Sequence, residues 1–525
     1  MMEIKEKHFW YGLLILILIV SFTINFRVAT STPIIFGDEG YFASRGEWVL
    51  KNLEIPKYTN DIYSENKLFH TFDLDIPFMI FLVSSFSIGG ELLVKILDPI
   101  LTIITSLIVF LFARKFYSGK TGILSLFFFL ILPCVITYTI FLYGDMILVL
   151  FMLSSLYFLL RSVKEDSKKY LVIAGIFGGF SILTKETGLL IILPYIITFL
   201  FHKKDWLKRF VMLFLILLAF ATPLHGFHNF ILLGNPGIFM IENYFPIEWH
   251  SSEIKILEGE NLQLQQSGTY AGIFQYGVLN YIEFSYGLGV FVFIVIGISL
   301  LFYRKNKNDV LVLIWVIILF TIIFYRNGTE GKVESLSRWL LPLMPFFAIY
   351  GALATEKIYD FLKGYGENIG KIIGILFIFM IVIFGLFSAN TKAASLEPIK
   401  KWSPAFINGC DWIRRNTPED SKIVSIWVHH GMYQCKRDFH WVFLPNKDVI
   451  VTYSNDTSYD LLKENDMKYI YLQKFSIAFE KTAEVYPVEF VRYIENSDKF
   501  EKVYEYPENC MTSQENDCVV VYKIL

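Results

Sequence analysis

About eleven apolar runs, each close to the length needed to cross a bilayer, decide what this chain can become. They lie at residues 9–26, 92–113, 121–142, 144–160, 169–184, 187–201, 210–227, 286–303, 310–325, 338–355 and 371–389. The fold class is therefore a polytopic α-helical membrane protein with about 11 transmembrane helices. Composition agrees, because 54% hydrophobic and 17% aromatic residues are too apolar for a soluble enzyme of 525 residues. The first run follows Lys5 and Lys7 but exceeds the roughly 7–15-residue core of a signal peptide, and no small-x-small site follows it. It reads as an uncleaved anchor.

Charge sorts the connections. Arg114, Lys115 and Lys120, the stretch 161–169, Lys203, Lys204, Lys208 and Arg209, then Arg304, Lys305 and Lys307, and the stretch 357–371 all fall on one side with the N-terminus. By the positive-inside rule that side is cytoplasmic. An odd number of spans then puts the C-terminal region outside, in a multi-pass protein of the cell membrane. Two long outer loops, 27–73 and 228–286, exceed what a connector needs. The apolar piece 76–88 is expected to lie in the interface, being too short to span. The net charge of -2 carries little information once the charges segregate in this way, and no nucleic-acid partner is expected.

Residues 1–389 thus form a transmembrane region and 390–525 an outer mixed α/β unit. In the outer unit a helix over 404–415 and another near 459–465 accompany strands at 422–428, 448–453, 468–472, 501–506 and 518–524. Cys410, Cys435, Cys510 and Cys518 all fall there, an even set that permits two disulfides in three connectivities, with Cys510–Cys518 as a natural loop staple. His429, His430 and His440 near Cys435 fit no standard metal spacing.

Ionisable residues beside spans are functional candidates by default. Asp38 and Glu39 follow the first span between Gly37 and Gly40; their bland alternative is to cap the next helix. Asp145, Lys185 with Glu186, Arg338, and Lys95 with Asp98 all fall at the outer ends of their spans. Carboxylates and cations at one depth suit an anionic lipid headgroup beside a general base: Lys and Arg hold a phosphate, and a carboxylate takes a proton from an attacking hydroxyl. Lys95 and Asp98, three apart, could instead pair with each other.

The ordered set resembles a known family. Gly37-Asp38-Glu39, Tyr143-Gly144-Asp145-Met146, Leu183-Thr184-Lys185-Glu186-Thr187-Gly188, Gly234-Asn235-Pro236 and the stretch 337–345, SRWLLPLMP, look like GT-C membrane glycosyltransferases. The branch they resemble is that of the dolichyl-phosphate-mannose protein mannosyltransferases, aminoarabinose transferases and RgtA/B/C/D-like enzymes, in a prokaryotic, archaeal-type form. The tail from Trp412 to Pro418 is similar to the outer domain of archaeal and bacterial members. The resemblance implies inverting transfer of a hexose-type sugar from a polyprenyl- or dolichyl-phosphate donor to a glycan, lipid or protein acceptor at the outer face of the bilayer. It implies Asp38 as general base with Glu39 beside it, and Asp145 as the second acid, orienting the acceptor. Lys185, Arg338 and Lys95 would grip the donor phosphate. In metal-using relatives a divalent cation joins the two acids, here Asp38 and Asp145. Lys95 stands where relatives often carry arginine, and a lysine cannot make the bidentate contact.

A lipid or solute transporter is the competing class. It would place charges near the midplane and relate two halves by an internal repeat; this chain does neither. A ligand sensor would need a single anchor.

Overall fold

The computed structural model describes residues 2–31, 34, 39–53, 76–202, 206–233, 286–304, 307–327, 338–364, 369–400, 403–425, 428–440, 456–473, 477–478, 486–509 and 517–525. The membrane region holds fourteen of the described helices in chain order. They are α1 (Met2–Thr30), α2 (Glu39–Asn52), α3 (Ile76–Lys95), α4 (Leu97–Phe116), α5 (Gly119–Ile131), α6 (Pro133–Ile140) and α7 (Asp145–Lys164). α8 (Lys168–Thr184), α9 (Ile192–His202), α10 (Trp206–Leu233), α11 (Leu288–Arg304), α12 (Lys307–Asn327), α13 (Met344–Lys363) and α14 (Ile369–Lys400) complete it.

Burial grades these helices. The apolar window of α7 is 83% buried by its neighbours, whereas those of α1 and α14 are 33% and 28% buried. α7 is therefore central, and α1 and α14 turn residues such as Ile19 and Phe384 outward, as lipid-facing helices do. The run expected at 121–142 is two helices bent by 62°. Pro133 lacks an N–H, so α5 stops before it and α6 restarts on it. α6 then ends at Ile140, leaving a short non-helical stretch before α7.

Two boundaries differ from expectation. The interfacial piece foreseen at 76–88 continues as α3 to Lys95, bending at Gly90, and the next helix starts at Leu97 rather than 92. Apolar periodicity runs through the Gly89-Gly90 pair, so it does not mark the bend. α14 continues to Lys400, so the boundary set at 389 falls inside a helix.

The C-terminal part is a five-stranded sheet of order β2-β1-β3-β7-β6. Its strands are β1 (Lys422–Val424), β2 (Asp438–His440), β3 (Tyr469–Gln473), β6 (Phe500–Tyr506) and β7 (Val519–Ile524), beside a small ladder of β4 (Ile477–Ala478) and β5 (Tyr486–Pro487). β1 runs parallel to β2 and β3, while β7 is antiparallel to β3 and β6. Helices α15 (Pro404–Asn416), α16 (Val428–Cys435), α17 (Asp456–Glu464) and α18 (Val488–Asn496) supply its layers. Alternation assigns the faces: Val519 and Val521 meet Phe406 and Phe439 on one side, Val520 and Tyr522 meet Leu462 and Phe490 on the other. With both faces covered, β7 reads as a continuous apolar run. The strand expected at 448–453 lies outside the described residues.

Cys410 bonds to Cys435, tying α15 to α16. Cys518 is also disulfide-bonded; Cys510, its expected partner, lies outside the described residues. Cys134 is free and buried.

Candidate functional site

The site is built where α6 hands over to α7. Gly144 adopts φ +69, a conformation that costs a side-chain-bearing residue roughly 1–2 kcal/mol, and a Cβ there would lie 2.8 Å from the Phe78 ring. Asp145, the first residue of α7, is 4% exposed and splits its carboxylate between two cations. Oδ1 accepts from Lys185 Nζ at 2.7 Å and Oδ2 from Arg338 Nε at 2.6 Å. Lys185 follows the last residue of α8 in extended backbone, and Arg338 precedes the 3-10 turn Leu341–Leu343 that opens α13. Each cation also lies over an aromatic ring, Arg338 4.6 Å from Tyr143 and Lys185 5.3 Å from Trp339. About a quarter of each cation's side chain stays exposed, 27% for Lys185 and 23% for Arg338, so both retain surface for an incoming anion.

Glu39 opens α2 and is 1% exposed. Its Oε1 accepts from the Leu142 backbone N–H at 3.0 Å, so this carboxylate is bound to the stretch that delivers Asp145. Asp38 lies outside the described residues. The structure thus gathers Asp145, Lys185 and Arg338 directly and brings Glu39 to the same turn.

Lys95 stands apart. Its Nζ pairs with Glu91 at 2.8 Å, one helical turn back, rather than with Asp98. Asp98 turns instead toward residues 143 and 144, a partnership sequence spacing could not show. The basic connections meet at the opposite end of the bundle, where Glu165 holds Lys115 and Arg161 and Asp360 holds Lys120.

The C-terminal part reaches the site through α16, an element the sequence reading missed because 428–435 is short and reads as the end of a strand. A Cβ on Gly40 would lie 3.0 Å from the His430 backbone N and Cα. Around this close approach Tyr433 donates to Glu91 at 3.2 Å, Gln434 Nε2 donates to the Ile34 carbonyl at 2.7 Å, and Lys436 pairs with Glu47. Burial, with Glu91 and Glu47 nearby, holds the Tyr433 phenol well above its usual pKa, so it stays a donor at neutral pH. Gly40→Val is expected to force α16 off α2, costing about 1–3 kcal/mol. A lower midpoint of thermal unfolding is the outcome to look for; an unchanged midpoint would mean that the two helices separate freely.

Among the described residues no three His, Cys, Asp or Glu side chains gather as metal ligands. Asp145 is a poor ligand as it stands: both oxygens accept from cations that would repel a divalent ion.

Residues 75–225 match the sequence profile of the dolichyl-phosphate-mannose-protein mannosyltransferase family. No curated protein sequence matches the chain. Among solved structures, the archaeal oligosaccharyltransferase AglB from Archaeoglobus fulgidus, in complex with an inhibitory peptide and a dolichol-phosphate, superposes with TM-score 0.64 at 14% identity, covering 98% of this chain and 76% of that one. ArnT from Cupriavidus metallidurans bound to undecaprenyl phosphate gives TM-score 0.64 at 14% identity, covering 98% of both chains. The arabinofuranosyltransferase AftD from Mycobacteria gives 0.55 at 12% identity, covering 97% of this chain and 40% of that one. The fold is that of the GT-C membrane glycosyltransferases. Within that fold, the segment from α3 into α10 is similar to the mannosyltransferase family.

Proposed function

We propose that this protein is an inverting glycosyltransferase that moves a hexose-type sugar from a polyprenyl- or dolichyl-phosphate donor to an acceptor at the outer face of the membrane. One observation carries the reading: a buried carboxylate holds two partly exposed cations at the mouth of the helix bundle. That pair is a preformed grip for the phosphate of a lipid whose tail stays in the bilayer. The AglB and ArnT structures that share the fold hold a dolichol-phosphate and an undecaprenyl phosphate, which supports a lipid-phosphate donor here.

The roles follow from charge. In a single displacement the acceptor oxygen attacks the anomeric carbon while its proton passes to Asp38. The bond from anomeric carbon to phosphate oxygen breaks on the opposite face, with the inversion logic of a one-step glycosidase. Negative charge grows on the leaving phosphate, and Lys185 and Arg338 meet it there. Asp145 holds the two cations apart and aimed. Lys95, paired with Glu91 rather than with Asp145, would join the phosphate grip only on leaving that carboxylate. The membrane region, through α14, carries the chemistry, and the C-terminal part that follows it braces the site from outside.

The test is transfer from labelled polyprenyl-phosphate hexose by the purified protein in liposomes, with stereochemistry read at the product. Arg338→Ala is expected to lower transfer by about 10²–10³-fold and to weaken polyprenyl-phosphate binding. Arg338→Lys, which keeps charge but loses the planar fork, should fall between. Wild-type protein that binds no polyprenyl phosphate, or a retained anomeric configuration, would overturn the assignment.

A further inference from the structure

The least expected carboxylate in the bundle is Asp98. It is the second residue of α4, 1% exposed, and its Oδ2 accepts from two successive backbone N–H groups, Tyr143 at 3.0 Å and Gly144 at 3.3 Å. Adding Leu142, whose N–H goes to Glu39, three consecutive donors ahead of α7 are met by carboxylates from α2 and α4. The stretch has left α6 and not yet entered α7, so helical hydrogen bonding does little to fix it; the Tyr143 N–H is shared with the Phe141 carbonyl at 3.1 Å, and buried backbone N–H groups need partners. Asp98 is itself braced: its carbonyl accepts from Thr102 at 2.8 Å, and Thr102 is hydrogen-bonded to Thr139 of α6 at 2.8 Å.

Both residues that Asp98 holds lead to the ion set. Tyr143 presents the ring over which the Arg338 guanidinium lies, and Gly144 sets the direction in which Asp145 leaves to meet Lys185 and Arg338. A shift of this turn would move a ring and a carboxylate together. Oδ1 of Asp98 is buried and makes no hydrogen bond among the described residues, so only one of its oxygens is used. Glu39, Asp98 and Asp145 meet at the same turn, and Asp98 meets it through one acceptor oxygen.

We infer that Asp98 is a positioning residue for the donor-phosphate grip, acting through the Tyr143–Gly144 backbone by accepting its two N–H groups. The inference rests on the transferase reading and deepens it. It separates Asp98 from every group that would touch substrate, and it gives asparagine, whose amide oxygen can accept the same N–H groups, a different outcome from alanine.

The experiment measures dissociation constants for polyprenyl phosphate alone, and kcat and KM for transfer, in wild type, Asp98→Asn and Asp98→Ala reconstituted in liposomes. Thermal unfolding is followed in parallel. Asp98→Ala is expected to weaken polyprenyl-phosphate binding about 10-fold and to lower kcat about 10²-fold, whereas Asp98→Asn stays within about 3-fold of wild type in both. A merely structural role would lower the unfolding midpoint of the alanine variant and leave the dissociation constant of its folded fraction unchanged, which overturns the inference. So does an asparagine variant as impaired as alanine, because the charge would then be what matters. Should Asp98→Ala not fold, Asp98→Ser, which keeps one shorter acceptor, is read on the same scale. Wild type that neither binds polyprenyl phosphate nor transfers overturns the transferase reading; wild type that binds while the alanine variant binds equally well overturns the role of Asp98 alone.

Discussion

Transfer by the Asp38→Asn protein is expected to fall by about 10²–10⁴-fold, with polyprenyl-phosphate binding within about 3-fold of wild type. The amide keeps the size and hydrogen-bonding shape of the acid but cannot take a proton from the acceptor hydroxyl. The loss should therefore appear in kcat and leave the donor constant alone. The fold should survive, because Glu39, at the start of α2, still reaches the Leu142 N–H on another element. Glu39→Gln supplies the control. Its amide oxygen can accept from Leu142, so a loss much smaller than that of Asp38→Asn would separate base from anchor. Equal transfer by wild type and Asp38→Asn would remove Asp38 from the chemistry.

The contrast between Asp145 and Asp98 shows what was legible in the sequence. Asp145, Lys185 and Arg338 could be grouped from one dimension alone, because each ends a long apolar run on the same predicted side, and helices of similar length return such ends to one level. Asp98 met the same criterion, yet its partners are backbone N–H groups 45 and 46 residues away, and no residue type marks a backbone donor. The sequence instead offered Lys95, three positions off, as a partner; the break at Ile96 between α3 and α4 puts the two on different helices. Strands β3 and β7 of the C-terminal sheet were readable because they are short apolar runs, rich in Val, Ile and Tyr, buried on both faces. α16 was not, since eight residues with two histidines and a glycine carry little helical periodicity. Its importance comes from a close approach to Gly40, which composition cannot reveal.

Asp145→Asn should separate binding from catalysis with opposite signs. In wild type this single carboxylate offsets only one of the two positive charges of Lys185 and Arg338, in a site where it is itself almost wholly buried. Removing one partner of a buried ion pair costs about 3–5 kcal/mol; here the two cations keep access to water, and about 2–3 kcal/mol is a better expectation. Asparagine can accept from only one of them through its oxygen, so the other loses its fixed direction. Transfer should drop about 10²-fold, the loss typical of one displaced electrostatic donor. Polyprenyl phosphate, however, should bind as tightly as before or more tightly, because a dianion then replaces the missing carboxylate between two cations. The ligand should accordingly raise the unfolding midpoint of Asp145→Asn by more than it raises that of wild type, since a ligand bound only by the native state stabilises according to its concentration over its dissociation constant. Weaker binding with lower transfer would mean that Asp145 organises the cations so strictly that their charge is useless without it. Unchanged transfer and an unchanged midpoint would reduce the ion set to a surface pairing, worth the ~0–1 kcal/mol of exposed salt bridges, and the phosphate grip would have to lie elsewhere.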